Sequence, residues 1–278
     1  MSYVTDPLTY EFFVRALGAS ILVGLVCAVV GTYMVLRGLA FMGDALSHAA
    51  FPGVVVAYLL KAPFYLGATA AAVGTALAIG WITRRGRLRS DTTIGVLFAG
   101  MFALGIFLFS TIPHYVGDLF GFLFGQPLGI SSSDLLALAV LSATVLVIVT
   151  VLWKELLYST FDPLSAAASG LPVAALEYLF LGLIALTIVI SLQAVGITLV
   201  VAMLVTPAAT AQLLADRFSR LLAIAVAIGV MAPIAGLYLS FWTNTASGAV
   251  VVLVETATFL LALGLGPRTG LLRRRRAA

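Results

Sequence analysis

The chain has 278 residues, of which 62% are apolar and only 9% are charged. Soluble proteins carry about 25% charged residues, so this chain cannot cover itself with a water-facing surface. The composition excludes a soluble enzyme, a nucleic-acid-binding protein and a disordered chain, and it predicts an all-α integral membrane protein. The formal net charge of +4 reports membrane orientation rather than a nucleic-acid partner.

Nine stretches approach the roughly 20 apolar residues that a spanning helix needs. We therefore predict one transmembrane domain over residues 1–278, a bundle of eight to nine helices, with eight if one stretch does not cross. Residues 112–133 contain two prolines and are expected to form an outer loop or re-entrant piece. The predicted spans are 17–36, 39–60, 64–83, 94–111, 134–153, 173–192, 196–215, 220–242 and 248–266.

The basic residues predict the orientation of these spans. Alternate loops hold 13 of the 15 lysines and arginines, and the opposite loops hold only Arg15 and Lys61. The positive-inside rule makes the basic side cytoplasmic, which puts the C-terminus inside and, with nine spans, the N-terminus outside. The basic loops carry Arg37, Arg84, Arg85, Arg87, Arg89, Lys154, Arg217, Arg220, Arg268 and Arg273 to Arg276.

Several catalytic motifs are absent from the chain. Its two lysines, Lys61 and Lys154, do not follow a glycine, so it lacks the GxxxxGK[ST] loop that binds ATP phosphates. The pair Gly43-Asp44 matches part of the GxGD motif of intramembrane aspartyl proteases, but Phe41 replaces the first glycine and no second mid-membrane aspartate exists. We expect a transport subunit rather than an enzyme, with any energy source on another chain.

The second span contains the most informative constellation, Asp44, Ser47 and His48. His48 is expected near the bilayer centre, and the i, i+4 spacing puts the Asp44 carboxylate and the His48 imidazole on one helix face. Ionisable groups at this depth normally face a pathway or one another. One carboxylate and one imidazole suit a borderline divalent metal ion, and a twofold-related copy would double the ligand set. A buried pair that only satisfies itself is the alternative.

Weaker metal candidates lie elsewhere. Glu255, in the last span, is interpreted as a protonated carboxyl hydrogen-bonded near Thr256 and Thr258, with a pathway role as the alternative. His114 and Asp118 share the i, i+4 spacing in the predicted outer loop. They are either an entry site for cations or ordinary solvated loop residues.

Residues 154–172 form the longest predicted cytoplasmic loop between spans. Within it, Asp162 is placed to cap a helix that begins at Pro163, the residue type favoured at the first helical position. Gly170 and Pro172 are placed to end that helix. Such a short helix of small residues fits a groove in another protein or lies at the membrane interface.

Five segments resemble the membrane subunit of the manganese/zinc/iron-type ABC importers, and they occur in the same order and spacing. GDALSHAAFPGV is the most specific of them. The segments are GDALSHAAFPGV (43–54), DTTIGVLF (91–98), FDPLSAAASGLPV (161–173), ITLVVAMLVTPAATAQLLA (197–215) and SFWTNTASGAVVVL (240–253).

The resemblance implies a permease of the bacterial cytoplasmic membrane, similar in general fold to vitamin B12-type ABC importers. It implies a dimer with a second copy or a paralogue, two cytoplasmic ATPase subunits that bind the ATP, and an extracytoplasmic metal-binding protein. The chain itself would hold no cofactor, and its cargo would be manganese, zinc or iron. Asp44 and His48 match the proposed metal pathway. The ATPase-coupling residues would be Phe161, Asp162, Pro163, Ala167 and Gly170. An ion-coupled secondary metal transporter without an ATPase is the competing hypothesis.

Overall fold

The structure is a computed structural model that describes residues 6–86, 88–112 and 130–266. After a 3-10 turn at Pro7–Thr9, eleven α-helices follow, and no strand occurs in these three ranges. The helices are α1 (Glu11–Leu36), α2 (Phe41–Leu59), α3 (Phe64–Arg85), α4 (Ser90–Ser110), α5 (Ser132–Val151), α6 (Trp153–Phe161), α7 (Pro163–Ala168), α8 (Val173–Val195), α9 (Ile197–Leu214), α10 (Phe218–Thr243) and α11 (Ser247–Leu265).

Nine of these helices, all except α6 and α7, have 18 residues or more and correspond in order to the nine predicted spans. Eight of them are both long and apolar enough to cross a membrane. The ninth is α2, whose Asp44, His48 and Pro52 reduce its apolar character. The predicted class, an all-helical membrane bundle of eight to nine long helices, is confirmed.

Two details differ from the predicted segments. α5 begins at Ser132, within the last two residues of the predicted outer piece 112–133. A capping box explains this start: the Ser131 hydroxyl accepts the Asp134 N–H, and the Asp134 carboxylate accepts the Ser131 N–H. The segment 154–172 is mostly helical, since α6 precedes α7 and reaches Phe161. Residues 113–129 lie outside the described residues.

The first helix lies at the centre of the bundle. α1 packs against α5, α8, α9 and α10, while α2 packs mainly against α3 and α4. The last three long helices, α9, α10 and α11, contact one another. Burial follows this arrangement, since Val23, Val26 and Val30 of α1 are fully buried, whereas most of α4 and α11 remains on the outside of the chain.

Small residues set the closest helix contacts. Gly53 of α2 lies directly against the backbone of Gly67 in α3, and a methyl group added to either glycine would overlap the carbonyl oxygen of the other. Gly24 of α1 and Gly229 of α10 make a similar approach. In lipid, helices associate through such close packing rather than through a hydrophobic driving force. The contact between Gly53 and Gly67 therefore fixes how near α2 stands to α3.

Candidate functional site

Asp44 and His48 lie on the same face of α2, as the i, i+4 spacing predicts. His48 Nδ1 is 3.9 Å from Asp44 Oδ1, which is too long for a hydrogen bond. The two side chains therefore do not satisfy each other. This geometry differs from the alternative in which the pair exists only to satisfy itself.

The imidazole of His48 is held by two aromatic rings of α4. Its centroid lies 5.2 Å from that of Phe98 and 5.1 Å from that of Phe102, both in edge-to-face arrangements. Such contacts orient a ring without using its nitrogens. His48 Nδ1 is buried and has no hydrogen-bond partner among the described residues. In one tautomer this nitrogen offers a lone pair to a cation, and in the other it offers a proton to a hydrogen-bond acceptor.

Asp44 opens onto a cleft between the first turns of α2 and α4. Its side chain is 48% exposed, and the cleft of about 290 Å³ is also lined by Asp91, Gly95 and Phe98. Sequence reasoning did not select Asp91 as a site residue. The sequence signal for Asp91 is its place at the start of the segment 91–98, which is one of the five segments that carry the family resemblance.

The spacing of the pair is compatible with one ion touching both atoms. Bonds from zinc to an imidazole nitrogen or a carboxylate oxygen are about 2.1 Å long, so two bonds reach across about 4.2 Å. A tetrahedral angle at the ion would need about 3.4 Å between the ligand atoms. The observed 3.9 Å lies between these two limits.

The described residues contain no group of three or more histidine, cysteine, aspartate or glutamate side chains that could hold a metal. Ser47 is fully buried, and its hydroxyl donates to the Gly43 carbonyl at 2.8 Å within the same helix. That bond uses the hydroxyl proton and not the oxygen lone pairs, so Ser47 stays a weaker candidate. Asp44 and His48 are the ionisable pair of candidate ligands on α2.

Glu255 is fully buried in α11, and neither carboxylate oxygen has a hydrogen-bond partner in the described part of the chain. The expected bonds from neighbouring threonines are not formed. Thr256 donates to the Val252 carbonyl at 2.8 Å, and Thr258 donates to the backbone carbonyl of Glu255 at 2.6 Å. Threonine hydroxyls in helices commonly bond backward to the preceding turn, which explains the difference.

His114 and Asp118, the other weak candidates, lie outside the described residues. The predicted cation-entry site therefore stays a prediction, and so does its alternative of ordinary solvated loop residues.

The structure contains the short helix predicted between spans five and six. The Asp162 carboxylate accepts the Ser165 N–H at 2.9 Å, and hydrogen bonds from the hydroxyl and N–H of Ser165 lower the pKa of Asp162. Gly170 ends the helix in the left-handed region, with φ of 86°, as a glycine cap predicts.

This helix stands out from the rest of the chain. Leu164 of α7 is 84% exposed and Phe161, the last residue of α6, is 62% exposed, while Ala166 turns inward and is fully buried. Ala167 lies on the exposed side. An exposed leucine and phenylalanine beside small residues form an exposed apolar surface, as binding sites for other proteins often do.

A bundle of long apolar helices, one of which carries an ionisable pair, with a capped and exposed short helix between two spans, belongs to the class of polytopic helical membrane transport proteins. The chain belongs to the ABC 3 transport family, whose profile matches residues 9–266. The resemblance to the permeases of metal-type ABC importers is thereby confirmed.

Curated relatives and solved structures agree with this assignment. The chain is 46% identical over 267 residues to the manganese transport system membrane protein MntC of Halalkalibacterium halodurans, covering 96% of this chain and 91% of the relative. It is 41% identical over 275 residues to the chelated iron transport system membrane protein YfeC of Yersinia pestis, covering 99% and 93%.

Among solved structures, PsaBC from Streptococcus pneumoniae in complex with Fab matches with a TM-score of 0.87 and 34% identity over 99% of both chains. A metal-chelate type ABC transporter in an inward-facing conformation matches with a TM-score of 0.70 and 17% identity, covering 94% of this chain and 88% of the other. The second likeness shows the fold alone.

Proposed function

We propose that this chain is the membrane permease of an ATP-driven importer that passes a divalent transition metal ion into the cytoplasm. The observation that carries this proposal is the pair of Asp44 and His48. Both side chains lie on one face of α2, 3.9 Å apart, and the buried His48 Nδ1 lacks a hydrogen-bond partner in the described residues. A cation on its path can use both groups without displacing an existing bond.

The proposed cargo is manganese or iron(II), with zinc as the third candidate. A carboxylate suits manganese, and imidazole suits iron and zinc, whereas copper(I) would need thiolate or thioether ligands. Relatives that align with nearly the whole chain carry manganese and iron in their names. Two ligands from one chain bind an ion weakly, and weak binding lets a transported ion leave again.

The proposed assembly contains a second permease, either an identical copy or a paralogue. A twofold axis beside α2 would bring two aspartates and two histidines to one ion. Two separate ATPase subunits would hydrolyse the ATP, because the chain lacks the lysine-containing loop that binds ATP phosphates. These subunits would bind the exposed helix α7 on the cytoplasmic side. An extracytoplasmic binding protein would deliver the ion. We place the complex in the cytoplasmic membrane of a bacterium, with the C-terminus inside.

The test is uptake of radiolabelled manganese, iron and zinc by the complex reconstituted in vesicles. Asp44→Asn keeps the shape of the side chain and removes its charge, and His48→Leu removes the nitrogen ligand. Each variant should lose most of the metal uptake while still inserting and assembling with the ATPase. Glu255→Gln serves as the control, because it replaces a buried carboxyl in another helix by an amide of the same size and should reduce uptake less.

Wild-type uptake by both Asp44→Asn and His48→Leu at equal complex levels would refute the proposed site. Uptake by the permease without its ATPase would instead favour an ion-coupled secondary transporter. Both measurements use the same vesicles, so the site and the energy source are tested separately.

A further inference from the structure

Arg37 connects two parts of the chain that are far apart in sequence. It follows α1 directly, and its Nε donates to the Thr160 hydroxyl at 3.0 Å. Its Nη2 donates to the Ser159 hydroxyl at 3.2 Å and to the Leu156 carbonyl at 3.4 Å. The guanidinium carbon also lies 4.4 Å above the centre of the Phe180 ring. Arg37 therefore joins the end of α1 to the last turn of α6.

The turn that carries Arg37 also carries the start of the metal-site helix. Gly38 has φ of 71° and donates to the Val35 carbonyl at 3.0 Å, and Leu39 donates to the Met34 carbonyl at 2.9 Å. These two bonds form a Schellman motif, which closes the end of α1 in one defined conformation. α2 begins at Phe41, so a displacement of Arg37 is passed on to α2.

On the other side of the contact, α6 is joined to the exposed helix α7 through a single residue. Asp162 is both the last cap of α6 and the first cap of α7. Ser159 and Thr160 therefore lie within one helical turn of the segment that we propose to bind the ATPase. A displacement of α7 cannot be absorbed by a loop before it reaches the Arg37 contact.

The contact is built so that it can open. Both acceptor hydroxyls also donate to the Leu156 carbonyl, Ser159 at 3.1 Å and Thr160 at 2.6 Å. Their own hydrogen bonds therefore persist when the guanidinium leaves. In the described residues Arg37 has no carboxylate within ion-pair distance, so its hydrogen-bond acceptors there, two hydroxyls and a backbone carbonyl, are all neutral. Hydrogen bonds to neutral groups are weaker than those between two charged groups.

We propose that Arg37 is a positioning residue that transmits movement of the ATPase-binding helix α7 to the metal-site helix α2. The inference rests on the proposed function, because it assumes that α7 binds an ATPase and that α2 carries the ion. Lysine cannot replace arginine in this role, since its single ammonium lacks the planar fork that reaches two hydroxyls and stacks on a ring.

The experiment measures metal imported per ATP hydrolysed by the full complex in vesicles, with manganese as the probe and the binding protein present. Arg37→Lys should lower this ratio about tenfold, which corresponds to losing one hydrogen bond to a charged group. The double variant Ser159→Ala/Thr160→Val removes the two hydroxyls and leaves Arg37 in place. It should lower the ratio similarly, and it decides the question if Arg37→Lys fails to assemble.

Arg15→Gln is the matched control. Arg15 forms an ion pair with Glu11 at 2.6 Å in the first turns of α1, at the opposite end of that helix from Arg37. Its ratio should stay at the wild-type value.

A wild-type ratio in both the Arg37→Lys and the double variant would overturn the inference, even if less complex assembled, because a purely structural role changes the amount of complex and not its coupling. An equal fall in Arg15→Gln would also overturn it. A wild-type complex that hydrolyses ATP but imports no metal would overturn the proposed function and this inference together.

Discussion

Replacing Gly53 by alanine should separate α2 from α3 and disturb the metal-site helix. The new methyl group would overlap the Gly67 carbonyl oxygen and approach the Ala71 methyl group. The carbonyl belongs to a helix backbone and cannot rotate away, so the two helices must move apart. Gly74 of α3 is the control, because nothing lies within 4 Å of a methyl group added there.

The expected magnitude follows from two opposing terms. Forcing an extra methyl group into a tight contact costs about 1–3 kcal/mol, and the backbone overlap at Gly53 favours the upper end. Replacing glycine by alanine in a helix recovers about 1 kcal/mol. Gly53→Ala should therefore lower the free energy of unfolding by about 2 kcal/mol, and Gly74→Ala should raise it by up to about 1 kcal/mol.

The assay is thermal denaturation of the purified permease followed by size-exclusion chromatography. For a chain of this size about 2–4 °C of Tm corresponds to 1 kcal/mol. We expect a Tm about 4–8 °C lower for Gly53→Ala and an unchanged or higher Tm for Gly74→Ala. Metal uptake should fall in the first variant only. Equal Tm values for the two variants would refute the argument that α2 and α3 meet at this glycine pair.

Three further predictions concern the orientation and the exposed helix α7. Cysteines introduced at positions 87 and 272 should resist an impermeant label applied outside intact cells, and strong labelling would reverse the predicted orientation. Ala167→Glu should leave α7 folded, since Ala167 faces outward, but should uncouple ATP hydrolysis from uptake; unchanged coupling would contradict the assigned docking surface. Asp162→Ala should speed amide exchange in α7, whereas Asp162→Asn should not, because asparagine also caps helices. Because hydrogen bonds lower the pKa of Asp162 below its ordinary 3.8, its charged cap should be complete above that pH and should weaken only as the pH falls further; loss of protection near neutral pH would contradict this.

The local parts of the fold follow from sequence alone. Apolar length predicts each spanning helix, because every segment in lipid must satisfy its own backbone hydrogen bonds. The shared face of Asp44 and His48 follows from helix geometry. The cap at Asp162 and the end at Gly170 follow from the preferences of single residues at helix ends.

The contacts between helices could not be obtained this way. No periodicity places Phe98 and Phe102 against His48, puts Asp91 in the cleft with Asp44, or brings Arg37 to Thr160. Glu255 shows the same limit, since its neighbours in sequence bond to backbone carbonyls and leave its carboxylate without a partner in the described residues. The hydropathy of a segment indicates whether it can span the lipid bilayer. Which helices pack against one another depends instead on the shapes of small residues and aromatic rings on separate helices. That choice is made only when the whole bundle packs.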